Sequence, residues 1–154
     1  EVERLADLVG PPTRQGSDFC MRAFQNAVGC IDAERGTLKW AQNGGGIEAV
    51  GGDDSYVFSA DGSDRITTRR RGSGEVAWTS EVLLNRQLSA PVALGPTVVF
   101  GDFEGQLHFL SRDAGKQLLR LPTDGTRIAV PPVLSDNTLL VVTRAGGVFA
   151  FRPE

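Results

Sequence analysis

The chain of 154 residues has a formal net charge of −3 and contains 19 glycines and 8 prolines. That balance offers no basic field to draw nucleic acid or an anionic membrane surface, and no run approaches the ~18 uninterrupted apolar residues that span a bilayer. The glycines and prolines are spread between short β-rich runs rather than gathered in a low-complexity segment, which points to an all-β domain of strands joined by tight turns.

Residues 1–9 alternate acidic and apolar side chains and are expected to form an incoming arm or strand, with Gly10-Pro11-Pro12 read as a turn. Strands are predicted over Asp18–Phe24, Ala27–Ala33 and Thr37–Gln42, separated by Gln25-Asn26 and Glu34-Arg35-Gly36. A second set covers Gly46 onward, Ser55–Ser59, Arg65–Arg69 and Glu75–Ser80. A third covers Ala90–Ala93, Thr97–Gly101, Gln106–Leu110 and Gln117–Leu121. The last covers Pro132–Leu134, Thr138–Thr143 and Val148–Phe151, with no outer strand after Phe151.

These sets repeat. Gly36-Thr37-Leu38-Lys39-Trp40 aligns with Gly74-Glu75-Val76-Ala77-Trp78 and with Gly115-Lys116-Gln117-Leu118-Leu119, a spacing of about forty residues. Asn26, Asp64, Gly105 and Gly146 keep the same period. Strand-built units of this length predict a β-propeller fragment of about four blades, each a four-stranded antiparallel sheet, over 10–42, 43–80, 81–122 and 123–154. Gly36, Gly74 and Gly115 with Trp40, Trp78 and Leu119 are its repeat anchors, and recurrence at one position argues that the tryptophans pack between blades. A fourth blade lacking its outer strand leaves an edge open to self-association.

Few residues suggest chemistry. Cys20 and Cys30 share a strand face if their turn has an odd number of residues, and oppose each other across a two-residue turn, so a disulfide stays open. His108, the only histidine, lies between Leu107 and Phe109 and has no partners for catalysis or metal binding. Asp53-Asp54 and Asp61-Gly62-Ser63-Asp64 lack the ligand ladder of a calcium loop and read as turns. Arg69-Arg70-Arg71 reads as a solvated strand end.

The run Phe24-Gln25-Asn26-Ala27-Val28-Gly29-Cys30-Ile31-Asp32-Ala33-Glu34-Arg35-Gly36-Thr37-Leu38-Lys39-Trp40 resembles the pyrroloquinoline-quinone-type propeller repeat. Ser89-Ala90-Pro91-Val92, the stretch from Val99 to Leu107 and the ending from Arg144 to Phe151 are similar to the C-terminal half of the BamB family, lipoprotein subunits of the machine that folds β-barrels into the outer membrane. The resemblance covers nearly the whole chain. It implies a periplasmic eight-bladed parent, tethered to the outer membrane by a lipidated cysteine upstream of Glu1. Such a parent is a non-catalytic scaffold with no cofactor or metal. Its implied partners are the POTRA domains of the barrel subunit BamA and unfolded outer-membrane proteins.

The family's contact pattern Arg-Leu-x-Asp-x-Asp falls on Arg4-Leu5-Ala6-Asp7-Leu8-Val9, keeping a carboxylate at Asp7 and departing from the second at Val9. Arg4, Leu5, Asp7 and Leu8 are therefore the implied partner-binding residues. The second blade departs from the repeat at Thr68-Arg69, where a small-apolar pair is usual. The alternative sharing the repeat is a fragment of a quinone-dependent dehydrogenase. Those enzymes resemble one another in adjacent cysteines, and this chain has no adjacent pair.

Overall fold

A computed structural model describes residues 7–152. Its strands fall into four antiparallel sheets in chain order. The first blade holds β1 (Leu8–Gln15), β2 (Asp18–Ala23), β3 (Ala27–Asp32) and β4 (Thr37–Asn43). The second holds β5 (Gly51–Gly52), β6 (Tyr56–Ala60), β7 (Ile66–Arg70) and β8 (Val76–Ser80). The third holds β9 (Val92–Leu94), β10 (Thr97–Gly101), β11 (Gln106–Ser111) and β12 (Gln117–Pro122). The fourth holds β13 (Val133–Ser135), β14 (Thr138–Val142) and β15 (Val148–Phe151) and is three-stranded. This is the propeller arrangement that the forty-residue period predicts.

The inner strands β1, β5, β9 and β13 neighbour one another in that order. Together they line an apolar channel of about 610 Å³ that includes Pro12, Gly52, Pro91 and Val133. Gly10-Pro11-Pro12 is not a turn: it lies within β1, with Gly10 at φ +63° and a register shift between Val9 and Thr13. Only one edge of an inner strand is paired, so a proline there gives up a donor that the sheet does not use.

Apolar side chains on facing blades interlock. Cys20, Val28, Cys30 and Trp40 of the first blade meet Val50 and Val57 of the second. Phe58, Ile66, Leu83 and Leu88 meet Val98, Phe100 and Leu110, and Val99, Leu107, Phe109 and Ile128 meet Leu139 and Val141. Alternation along β6, β10 and β14 makes this possible, because each middle strand has an apolar face for both neighbours.

Two of these junctions share a device. Trp40 Nε1 donates to Arg71 O at 2.7 Å, and Trp78 Nε1 donates to Arg112 O at 2.8 Å. Each indole lies under the following blade's glycine turn, where a Cβ on Gly74 would stand 2.6 Å from the Trp40 ring and one on Gly115 2.5 Å from Trp78. The repeated Gly and Trp are thus two halves of one contact. At the third position Leu119 is 47% exposed and lines an apolar cavity of about 380 Å³ with Leu94, Phe109, Leu139 and Phe151. Among the described residues no neighbouring atom stands within 4 Å of a Cβ built on Gly36.

The reading of Arg69-Arg70-Arg71 as a solvated end is corrected by Arg71, which is 3% exposed. Its guanidinium crosses to the first blade and donates to Thr13 O at 2.7 Å and Asp18 O at 3.1 Å, and to Asp53 O at 3.1 Å. Burial lowers the Arg71 pKa and the charges of Asp18 and Asp53 only partly offset this, but the three backbone carbonyls gain the donor that buried acceptors need. Thr68, where the second blade departs from the repeat, is fully buried opposite Trp78, and among the described residues its hydroxyl has no partner.

Candidate partner-binding rim

Three segments meet at one rim of the first blade. Phe24 N donates to Asp7 O at 2.7 Å, Gln25 N to Gly46 O at 3.2 Å, and Gly44 N to Asn26 O at 3.0 Å. Leu8 stands opposite Ala23 in the ladder. The incoming arm, the β2–β3 turn and the β4–β5 connection are therefore held together by backbone bonds.

That frame presents apolar side chains to solvent: Leu8 at 63% exposure, Ile47 at 57% and Phe24 at 46%, with the exposed Asp7 beside Leu8. Arg22 braces them from below. It is 1% exposed and donates to Gly44 O at 3.0 Å, Gly45 O at 2.5 Å and Ala60 O at 2.8 Å, fastening the glycine connection that precedes Ile47. Burial lowers the Arg22 pKa, while Asp61 and Glu48 pull it back up.

Of the residues that the sequence motif points to, Asp7 and Leu8 lie on this rim, whereas Arg4 and Leu5 lie outside the described residues. Phe24 and Ile47 were not singled out from sequence. Their signal was an aromatic entering a polar turn and an isoleucine following three consecutive glycines, in places where turn chemistry favours polar residues.

The other candidates serve structure. Cys20 and Cys30 are joined in a disulfide, with Cα atoms 4.0 Å apart and directly opposed in the β2–β3 ladder. Ala23 pairs with Ala27, so the intervening turn is Phe24-Gln25-Asn26, and its odd count puts both sulfurs on one face. His108 is buried in a network around the fully buried Asp102. Gln117 Nε2 lies 3.2 Å from His108 Nδ1, which leaves His108 Nε2 to donate to Asp102 Oδ2 at 2.8 Å. Arg86 Nε donates to the same oxygen at 2.6 Å, and the N–H groups of Glu104 and Gln106 donate to Oδ1.

Burial pushes the Asp102 pKa upward, but these hydrogen bonds prevail and hold it below the ordinary value. Asp53 Oδ1 accepts from Ser55 N and Tyr56 N, and Asp61 Oδ1 from Ser63 N and Arg65 N, as turn residues do. Asp64 reaches across to the third blade and accepts from Gln87 N and Leu88 N. Among the described residues no group of three His, Cys, Asp or Glu is arranged to hold a metal ion.

The family model described as "Outer membrane protein assembly factor BamB" matches residues 1–80. This chain belongs to the BamB family. It is 40% identical to outer membrane protein assembly factor BamB of Burkholderia pseudomallei over 100% of this chain and 40% of that protein. It is 35% identical to the BamB of Bordetella pertussis over 99% of this chain and 40% of that protein. The chain therefore spans about 40% of the length of these BamB relatives. The crystal structure of BamB from Moraxella catarrhalis superimposes with a TM-score of 0.85 at 20% identity, covering 93% of this chain and 42% of that one.

Proposed function

We propose that this chain is part of a non-catalytic scaffold subunit of the outer-membrane β-barrel assembly machinery and that its rim docks a POTRA domain of the barrel subunit. The parent protein, on this reading, is an outer-membrane lipoprotein facing the periplasm that assists the folding and insertion of barrel proteins. The observation that carries the reading is the rigid rim of Leu8, Phe24 and Ile47 beside Asp7, on a chain of the BamB family. Aromatic and aliphatic side chains presented at low entropic cost supply burial, and the flanking carboxylate supplies orientation and steering.

The hydrogen-bonded network around buried Asp102 fits scaffolding rather than catalysis, because Asp102, His108 and Arg86 satisfy one another instead of facing a cleft. An oxidising compartment suits the Cys20–Cys30 bridge. Isothermal titration of the chain with the POTRA domains tests the reading. Saturable binding is expected, weakened roughly 30-fold by Phe24→Asp if the aromatic is an interface anchor and made less salt-sensitive by Asp7→Asn. Unchanged affinity in both variants would remove the rim from the interface.

A further inference from the structure

Beside the rim, between the β4–β5, β8–β9 and β12–β13 connections, lies a cavity of about 210 Å³. Its lining includes Ile47, Glu48, Asp61, Asp64, Leu88 and Arg127. The volume is below the ~300–1,000 Å³ of typical small-molecule sites and suits a single side chain or peptide group. Ile47 belongs to both surfaces, so the rim and the cavity are adjoining.

The charged groups of the lining differ in how they are satisfied. Asp61 accepts from Ser63 N and Arg65 N, and Asp64 from Gln87 N and Leu88 N. Glu48 and Arg127 face the same space, and among the described residues neither side chain has a hydrogen bond or an ion pair within 4.0 Å. Burial raises the pKa of the half-buried Glu48 carboxyl, and the charges of Arg127 and Arg22 only partly offset this. An acceptor on one wall and a donor on the other are thus held apart with nothing between them from the protein. Burial costs the Glu48 carboxylate part of its solvation, and Arg127 Nε is buried with no partner among the described residues, so a suitable guest would be held by groups the protein leaves unmatched.

The lining decides the chemistry of that guest. An anion would confront Glu48, Asp61 and Asp64, and a cation, though drawn by these carboxylates, would repel the Arg127 guanidinium and leave it without an acceptor. A neutral group with one donor and one acceptor meets neither objection.

We propose that this cavity receives one carboxamide or main-chain amide group of a polypeptide docked on the rim, its N–H donating to Glu48 and its carbonyl accepting from the Arg127 guanidinium. The partner's identity rests on the function proposed above; the chemistry of the cavity does not. Glu48 and Arg127 then act as specificity residues, rejecting partners that present a charged side chain at this point.

The test has two arms. In the first, N-methylacetamide, acetate and methylammonium are titrated separately into the ¹⁵N-labelled chain. Saturable shifts of the Glu48, Gln87, Leu88 and Arg127 signals are expected with N-methylacetamide alone, and they should vanish in Glu48→Ala. Absence of localised shifts, or equal response to either ion, overturns the proposal. In the second arm the POTRA domains are titrated with wild type, Glu48→Ala, Arg127→Ala and the double variant, each checked for an unchanged melting temperature. A loss of roughly tenfold or more per single variant is expected, with the double losing less than the product. Wild-type binding that neither substitution weakens also overturns the proposal. If the amide binds and the POTRA domains do not, the cavity stands and the choice of partner falls.

Discussion

Replacing Trp40 by phenylalanine tests whether the Gly–Trp contact holds the propeller together. The indole is 7% exposed, and its N–H satisfies Arg71 O at 2.7 Å inside the junction of the first two blades. Phenylalanine keeps one ring in place and loses the hydrogen bond, which leaves a buried carbonyl short of a donor at a cost of about 1–2 kcal/mol. The missing part of the ring opens about 40 Å³, which at ~24 cal/mol per Å³ adds ~1 kcal/mol. A total of about 2–3 kcal/mol follows, or a fall in Tm of roughly 4–12 °C for a chain of this size.

The other two positions supply the comparison. Trp78 is only half-buried, so Trp78→Phe should cost about 1–2 kcal/mol. Leu119 is 47% exposed, and Leu119→Ala should cost less than about 1 kcal/mol. Urea and thermal unfolding followed by far-UV circular dichroism give the ranking Trp40, Trp78, Leu119. Equal losses at all three, or no loss at Trp40, would refute the contact as a stabilising device.

Three further outcomes follow from the same structure. The Cys20–Cys30 bridge closes a sequence separation of 10, so the Cys20→Ser, Cys30→Ser double variant should lose about 2–3 kcal/mol in chemical unfolding; no change under oxidising conditions would contradict this. Asp102 has a folded pKa held below its unfolded value of ~3.9, so its contribution is fully present above pH ~4 and is lost as pH falls below that toward the depressed folded value. Asp102→Asn should therefore destabilise at pH 7 and flatten the loss of stability below about pH 4, read from unfolding midpoints against pH.

The third concerns the outward face of the fourth blade, where Val133, Leu140, Val142, Val148 and Ala150 are all exposed on one side of the sheet. Sedimentation velocity should show concentration-dependent association of the 154-residue chain, reduced by Leu140→Lys with Val148→Lys. Association insensitive to both would place the contact elsewhere.

Much of the fold is legible because turn chemistry and strand alternation act locally. Thr97–Gly101 and Val148–Phe151 form as the pattern predicts, since polar or glycine-bearing turns bracket each apolar run. Gly10-Pro11-Pro12 misleads because the same residues that make turns are tolerated on an inner strand with one unpaired edge. Arg71 is opaque for a different reason: its acceptors at Thr13 and Asp18 lie more than fifty residues away, and no local pattern reports a distant carbonyl.

The disulfide turned on a single residue of turn length, which Gln25-Asn26 alone does not specify. At the rim, Asp7 and Leu8 were found through a family motif. Phe24 and Ile47 emerge only when backbone bonds bring the arm, the turn and the glycine connection to one place.

The rim as docking surface is tested most directly by hydrogen–deuterium exchange of this chain, alone and with saturating POTRA domains. The account predicts added protection at 23–26 and 44–48 and around Leu8, with no change on the opposite face at Asp53-Asp54 and Arg112–Lys116. Protection confined to the opposite face, or absent from all three rim segments while the complex forms, would contradict it.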